Sequence, residues 1–403
     1  MPSNEETSNF FIGNIYLGLA IFFSTLSTIL IKSFSNHMTS YIDDDEKAKD
    51  YFNHPFVMDG IMFIGEYICL LFYIIGRYAL KVTIPNKNKK PIPPYYYSIP
   101  ALCDFVASGI SYLAYGFAAG SVVMMMQSSM LVWTALLSFL FLRQRYYSHQ
   151  LLGLLWCIIG IILIGFSTLG GDSTTSLFGF ILLIIANLVQ AIQVVVENKL
   201  FANYEVHVFE CVGFEGVFGL LYCLITFPFF QHFIVKQINM SCINHNEGPY
   251  VYNFPCSGVF VYERIEDFKT AIIQLGQNHW MCAVVVIYGC LIPAINATNQ
   301  GITKYLSGTS RAISSIAKMT LVWIICLIIS WELFLWLQLA GFIVSNFGFF
   351  LYSEIFTIPG LDYNTLKNRT LRESSAIQVD DKDKISLAQI GNTKNETTSW
   401  ELN

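Results

Sequence analysis

Ionisable side chains recur inside the long apolar runs of this 403-residue chain. Asp59 and Glu66 are seven residues apart in one run, while Asp104, Glu215 and Arg311 lie in three others. An ionisable group within a lipid bilayer costs roughly 2.5–3.5 kcal/mol, so each one is a candidate for binding a solute or carrying a proton. The alternative is that each pairs with a neighbour and only holds helices together. We take Asp104, Glu66 and Glu215 as the candidates for proton coupling.

Enzyme chemistry is poorly supported by the motifs. Ser315 and Lys318 have the Ser-x-x-Lys spacing of serine–lysine hydrolases, but four-residue matches of this kind occur freely by chance. Cys242, His245 and Cys256 lack the spacing of a metal site. We therefore expect no enzyme, no metal and no cofactor.

The composition indicates an integral membrane protein. Hydrophobic residues make up 54% of the chain and charged residues 13%, against about 25% charged in soluble domains. This balance excludes a soluble nucleic-acid-binding protein, a secreted disulfide scaffold and a disordered chain. Membrane lipid is an expected partner and nucleic acid is not.

Ten apolar runs have the length of a membrane-spanning helix, which is about 20 residues. They cover residues 14–34, 56–80, 99–119, 121–142, 150–168, 177–201, 209–230, 279–300, 307–329 and 332–352. Residues 1–10 precede them and the polar tail 354–403 follows. The predicted fold class is an all-α polytopic membrane protein.

The distribution of Lys and Arg predicts the orientation. One side receives nine of them in its short connections, from Arg77 to Lys304, before the six of the tail are counted. The short connections of the opposite side have none. Both termini are therefore expected in the cytosol.

The loop 231–278 then faces a lumen or the exterior. It contains the sequon Asn239-Met240-Ser241, so we expect glycosylation at Asn239. Cys242 and Cys256 face an oxidising compartment, where either a disulfide or two free thiols fit the sequence. Residues 259–275 have apolar positions at helical spacing, which predicts an amphipathic helix along the membrane surface.

Short matching segments indicate an internal duplication. Leu-Val-Trp stands at 131–133 and at 321–323, 190 residues apart. Gln-Leu-Leu-Gly at 150–153 is matched by Gln-Leu-Ala-Gly at 338–341, 188 residues apart. The predicted repeats are 11–170 and 177–353, with five helices each. Since five is odd, the second copy must enter the membrane from the opposite side, which makes the repeat inverted.

Several further segments carry a family resemblance. They are Asn53-His54-Pro55-Phe56 with Gly65-Glu66, Pro100-Ala101-Leu102-Cys103-Asp104, Gln193 with Glu197 and Lys199, Gly213-Phe214-Glu215-Gly216, and Thr303-Lys304 with Arg311. Over nearly all of residues 11–353 the chain resembles the solute-carrier family 35, subfamily F, proteins of the drug/metabolite transporter superfamily. The repeat of that superfamily is a five-helix unit of the EamA type, and its members include nucleotide-sugar transporters and the chloroquine-resistance transporter.

The resemblance implies a central cavity between the two repeats. The residues expected to line it are Asp104, Gln127, Ser128, Asn296, Asn299, Arg311, Ser315 and Lys318. For the two Asn residues, helix capping or packing explains the positions equally well. The chain departs from the family pattern at Gln127, where Arg is usual, and at Ser315, where Asp is usual. We expect its substrate preference to differ accordingly.

The predicted function is secondary-active transport of a small organic solute across an endomembrane by alternating access, with proton coupling or solute exchange. Four acids against two bases inside the spans disfavour a phosphate-rich substrate. The alternatives are a non-transporting membrane adaptor and a nucleotide-sugar antiporter. A second copy of the chain, in a homodimer, is among the expected partners.

The tail predicts a sorting signal. Residues Tyr363-Asn364-Thr365-Leu366 fit the Tyr-x-x-(bulky apolar) pattern, with Leu366 as the apolar residue. Sorting adaptors bind this pattern in cytosolic tails. The pattern is permissive, and the alternative is ordinary tail sequence. Together with the family resemblance it favours a lysosomal or vacuolar membrane, with the Golgi and the plasma membrane as alternatives.

Overall fold

Twelve α-helices and three pairs of short strands form the secondary structure of the residues described. The computed structural model describes residues 4–36, 38–43, 46–52, 54–78, 90–142, 146–168, 175–205, 207–232, 234–238, 260–264, 266–305 and 308–355. The helices are α1 (Asn4–Asn36), α2 (Pro55–Tyr78), α3 (Ser98–Tyr115), α4 (Gly120–Met125), α5 (Gln127–Leu142), α6 (Ser148–Thr168), α7 (Leu177–Asn203), α8 (Val208–His232), α9 (Phe268–Gln277), α10 (His279–Tyr305), α11 (Gly308–Ile328) and α12 (Trp336–Tyr352).

Seven helical segments of the described chain are long and apolar enough to cross a membrane. They are Phe11–Phe34, Pro55–Tyr78, Gly120–Leu142, Ser148–Thr168, Leu177–Leu200, Val208–His232 and His279–Asn299. Ser314–Ile328 and Trp336–Tyr352 are shorter apolar helices. Many large apolar side chains on these helices are exposed, as lipid contact requires. The protein is therefore an all-α polytopic membrane protein.

The strands lie in the connections between the helices. β1 (Met38–Asp43) pairs antiparallel with β2 (Glu46–Tyr51), and β5 (Ile234–Ile238) pairs antiparallel with β6 (Phe260–Arg264). β3 (Lys90–Pro91) and β4 (Tyr204–Glu205) form a short parallel pair between two distant connections. A 3-10 helix, Pro94–Tyr97, precedes α3.

Part of the predicted amphipathic helix 259–275 is wrong, because Phe260–Arg264 is strand β6. β-Branched and aromatic residues in this segment suit a strand, and β5 supplies the partner. The helix itself is α9, where the side chain of Asp267 caps the N-terminus by accepting from the backbone N–H of Thr270. Phe268 stacks on Phe227 of α8, with ring centroids 4.0 Å apart.

The predicted start of the tenth span, residue 332, is also displaced. Ser330 has a positive φ of 60°, and the N–H of Trp331 donates to the carbonyl of Cys326. This is the hydrogen bond that ends a helix with a left-handed residue. α12 begins only at Trp336, so Glu332 belongs to the connection and its side chain can reach another helix.

Glycines allow α6 and α12 to pack backbone against backbone. A Cβ added at Gly153 would lie 2.7 Å from the carbonyl oxygen of Gly348, and one at Gly341 would lie 3.0 Å from that of Gly160. In lipid, such small residues permit the close van der Waals contact that holds helices together.

Candidate functional site

Three carboxyl groups from three helices lie near one another inside the bundle. Glu66 of α2, Asp104 of α3 and Glu215 of α8 are all buried. Glu66 lies within electrostatic range of both Asp104 and Glu215, and Glu215 lies within range of Asp104. We refer to these three residues as the acid cluster. They are the three residues that sequence analysis selected for proton coupling.

Close packing of α2 on α8 brings Glu66 next to Glu215. A Cβ added at Gly216 would lie 2.5 Å from the backbone nitrogen of Tyr67 and 2.9 Å from the Cβ of Glu66. Gly213 lies equally close to Leu70, one turn along. Only glycine fits at these contacts, because any side chain would push the two helices apart.

Polar groups of α7 and α2 surround the acid cluster. The side chains of Gln190 and Gln193 hydrogen-bond to the carboxyl group of Asp104. Asp59, fully buried one turn into α2, accepts a hydrogen bond from the hydroxyl of Ser108. Glu66 is in electrostatic range of Asp59 as well. The acids thus extend from near the start of α2 towards its middle.

Within the described side chains, no ion pair joins the acid cluster to a base. The ion pairs that the structure describes, His54–Glu266 and His149–Glu354, lie elsewhere. In addition, Glu66 Oε2 and Asp59 Oδ2 are buried without a hydrogen-bond partner among the described residues. Neighbouring carboxylates in a low-dielectric interior repel one another strongly when all are ionised. Such an arrangement can bind and release protons, or hold a cation.

Asn296 reaches the edge of this site from α10. Its side chain hydrogen-bonds to Cys69, which is one turn beyond Glu66 on α2. α10 can approach because a Cβ on Gly65 would lie 2.6 Å from the carbonyl oxygen of Gly289. Asn296 is thus one of the predicted cavity residues that lies near the acid cluster.

A break in the fourth predicted span lies beside Gln127 and Ser128. Met126 separates α4 from α5, and its carbonyl accepts hydrogen bonds from the N–H of Ser129 and from Nδ2 of Asn187, at 2.9 and 3.0 Å. The hydroxyl of the buried Ser128 donates to the carbonyl of Met125. Gln127 is half-buried at the start of α5. Substrate sites in many transporters are formed by interrupted helices.

The remaining predicted residues are in other places. Ser315 and Lys318 are half-buried on α11, which packs mainly against α1, α4 and α10 rather than against the acid cluster. Arg311 is on the same helix, and its side chain lies outside the described part of the structure, while Asn299 is half-buried on α10. Asn239, Cys242, Cys256, Tyr363 and Leu366 all lie outside the described residues.

Sequence reasoning missed two buried charges, Lys32 and Glu332. Both stand near the predicted limits of apolar runs, where a charged residue is ordinarily solvent-facing. Their partners are 83 and 211 residues away, so no local pattern could identify them.

Comparison with known proteins decides the family. The sequence profile described as CRT-like, chloroquine-resistance transporter-like, matches residues 15–248. The chain belongs to this family. Helices α2 to α8 and most of α1, with the whole acid cluster, fall within the matched segment.

Relatives of this CRT-like protein extend over most of its length. Human solute carrier family 35 member F6 is 28% identical over 349 residues, which cover 84% of this chain and 88% of the relative. The mouse protein of the same name is 28% identical over 346 residues, covering 84% and 87%. An uncharacterized protein of Schizosaccharomyces pombe is 24% identical over 311 residues, covering 74% and 86%. The predicted resemblance to subfamily F of solute-carrier family 35 is confirmed, and the chain is a solute-carrier-type transporter.

Proposed function

We propose that this CRT-like protein is a secondary-active transporter that moves a small organic solute by alternating access and couples the movement to protons at the acid cluster. The observation that carries the proposal is the meeting of Glu66, Asp104 and Glu215 in the interior without a described basic partner. Buried, uncompensated carboxyls in a membrane protein are costly, and proton relays are one of the functions that retain them.

Ten membrane-spanning segments in two inverted halves provide the frame for alternating access. The segments are α1, α2, α3, α4 with α5, and α6 in the first half, then α7, α8, α10, α11 and α12. If the two halves are related by a two-fold axis, replacing each helix by its counterpart in the other half should reproduce the observed helix contacts. The packing of α3 on α7 matches that of α1 on α10, α5 on α7 matches α1 on α11, and α3 on α8 matches α2 on α10. The pairs α6–α12 and α2–α8 map onto themselves.

The contact between α6 and α12 supports the same two-fold relation at the level of residues. The offset of 188 that relates residues 150–153 to 338–341 also relates Gly160 to Gly348 and Cys157 to Ser345. Gly153 faces Gly348 while Gly160 faces Gly341. The thiol of Cys157 donates to the carbonyl of Ser345, its own counterpart. A two-fold axis produces this reciprocal pattern, in which i contacts j and j contacts i.

Proton coupling follows from competition at the acid cluster. A positively charged or zwitterionic solute near Glu66 and Asp104 replaces the charge of a proton, so binding of one favours release of the other. An acid-rich interior suits such solutes better than the phosphates of a nucleotide sugar, which select Lys and Arg. We propose that a solute of the same class also contacts the helix break beside Gln127.

The cellular setting is part of the proposal. Both termini face the cytosol, the 231–278 loop faces the lumen with its glycan at Asn239, and the Tyr363-to-Leu366 signal directs the protein to a lysosomal or vacuolar membrane. An acidic lumen supplies the proton gradient. Unchanged localisation of Tyr363→Ala would remove the sorting signal from the proposal without affecting transport.

The test begins with purified protein and a panel of organic cations, amino acids, short peptides and nucleotide sugars. A ligand raises the unfolding temperature of the state that it binds, so thermal shift selects solutes for uptake into proteoliposomes. We expect uptake that rises several-fold with an imposed pH gradient. Uptake that ignores the gradient would remove proton coupling, and stabilisation by nucleotide sugars would favour the antiporter. The absence of uptake for every stabilising solute would contradict a transporter.

A further inference from the structure

A second group of buried polar and charged residues lies at one end of the bundle. It lies where α3 ends and α4 begins, at residues 116–119, and it consists of Lys32, Ser121 and Glu332. We refer to these three residues as the junction cluster. All three are buried. Under the proposed orientation this is the lumenal end.

Each charge of the junction cluster stands at the helix end that suits it. Nζ of Lys32 donates to the carbonyls of Tyr115 and Ala118, 2.9 Å away in both cases, at the C-terminal end of α3. Glu332 accepts from the backbone N–H of Ser121 at 3.0 Å and from its hydroxyl, at the start of α4. Free carbonyls carry partial negative charge and free N–H groups partial positive charge, so both placements are favourable.

The junction cluster joins the two halves of the protein. Lys32 and Ser121 belong to the first half, and Glu332 comes from the connection between α11 and α12 in the second. Gln338 of α12 reinforces the link, since its Nε2 donates to the hydroxyl of Ser121 at 2.8 Å. When the halves rock apart at this end, the contacts of Ser121 with Glu332 and Gln338 must break.

We infer that the junction cluster is the lumenal gate of the transporter, with Lys32 and Glu332 as the residues that position the closed gate. The inference rests on the alternating-access function proposed above. It assigns the conformation described here as closed to the lumen. It also requires the carboxylate of Glu332 to leave the start of α4 once in every transport cycle.

Gly120 provides a direct test, because it lies between the charges. A Cβ at this position would be 3.4 Å from Cγ of Lys32, 3.6 Å from Oε1 of Glu332 and 3.7 Å from Sγ of Cys326. These are ordinary contact distances, so Gly120→Cys fits. Its thiol would need only a small adjustment to form a disulfide with the native Cys326 of α11, on the other half.

The experiment compares Gly120→Cys with the control Gly120→Cys/Cys326→Ser in proteoliposomes, using the organic solute that gives uptake in the unmodified protein. Mild oxidation should link residues 120 and 326, detected by mass spectrometry of the joined peptides. The oxidation should reduce uptake about tenfold in Gly120→Cys but not in the control, and a reductant should restore the uptake. Full uptake with the disulfide formed would overturn the gate and leave the transporter standing.

A second measurement remains valid if Gly120→Cys fails to fold, and it needs no transport. Cys326 is fully buried, so a membrane-impermeant maleimide added from the lumenal side should label it slowly. Glu332→Gln should raise the labelling rate about tenfold, and the conservative Glu332→Asp should restore part of the protection. Equal labelling of Glu332→Gln and the unmodified protein would contradict the inference. Labelling that responds to Glu332 in a protein that moves no solute would instead contradict the proposed function.

Discussion

The acid cluster and the junction cluster are both buried, yet their charges are arranged in opposite ways. In the junction cluster, Lys32 and Glu332 have opposite signs and each meets hydrogen-bond partners at a helix end. In the acid cluster, Glu66, Asp104 and Glu215 have the same sign, and Glu66 Oε2 has no partner among the described residues.

This difference indicates that the junction cluster stabilises the helix bundle, whereas we assign the acid cluster to transport. Compensated charges fix a geometry and resist change, since removing either partner leaves the other buried and unpaired. Uncompensated acids destabilise the fold, so we propose that they serve transport rather than structure. Substitutions in the two clusters should therefore affect stability and activity in opposite proportions.

Removal of one charge of the junction cluster should have the largest effect. Glu332→Gln leaves the ammonium group of Lys32 in the interior without its counter-charge and should lower the free energy of unfolding by about 3–5 kcal/mol. Denaturation in detergent measures this change. The double variant Lys32→Met/Glu332→Gln should recover part of the loss. A double variant as unstable as the sum of the single ones would show that the two charges act independently.

Removal of one charge of the acid cluster should instead reduce transport. Asp104→Asn and Glu66→Gln should each lower uptake about a hundredfold, equivalent to about 2.7 kcal/mol. Neither should lower the unfolding temperature, because each removes a like-charge repulsion. The matched control is Glu210→Gln, a half-buried carboxyl near the start of α8. A variant with a lower unfolding temperature but normal uptake would show that these acids have a structural role.

Separation of the helices that form the acid cluster tests its geometry without changing a charge. At Gly216→Ala the new methyl group would meet the backbone of α2 at 2.5 Å, so we expect a loss of about 1–3 kcal/mol in stability and a parallel loss of uptake. Gly76→Ala on α2 is the control, since no atom lies within 4 Å of its added Cβ. Equal behaviour of the two variants would contradict the close approach of α2 and α8.

The smallest effect is expected at the edge of the acid cluster. Asn296→Ala removes the hydrogen bond to Cys69 and leaves all carboxyls in place. We expect the solute concentration for half-maximal uptake to rise about threefold, equivalent to roughly 0.7 kcal/mol, with little change in maximal rate. Concentration curves for uptake separate the two quantities. A hundredfold loss of maximal rate would mean that Asn296 belongs to the coupling machinery itself.

Much of this architecture is predictable from the sequence. Runs of apolar residues locate the helices because lipid leaves the backbone few alternatives. The acids of α2 could be selected because ionisable residues are rare in such runs. Glycines at every third position, 213, 216 and 219, are typical of a close helix contact in lipid, and all three lie against α2.

The partnerships between helices could not be predicted in the same way. Hydropathy places Lys32 near the end of a span, but only packing of α1 beside α3 makes it a cap for Tyr115 and Ala118. Likewise, strand β6 was assigned to a helix because its partner β5 is distant in sequence. Local patterns locate the apolar helices, whereas pairings between distant segments depend on contacts across the whole chain.

Proton movement driven by solute is the direct measure of coupling at the acid cluster. Proteoliposomes containing a pH-sensitive dye should report a pH change inside when a gradient of the transported solute is applied with no initial pH difference. We expect this signal for the unmodified protein and for Glu210→Gln, and its loss in Glu66→Gln at equal protein content. A signal of normal size in Glu66→Gln, or solute uptake without any proton movement in the unmodified protein, would contradict coupling at the acid cluster.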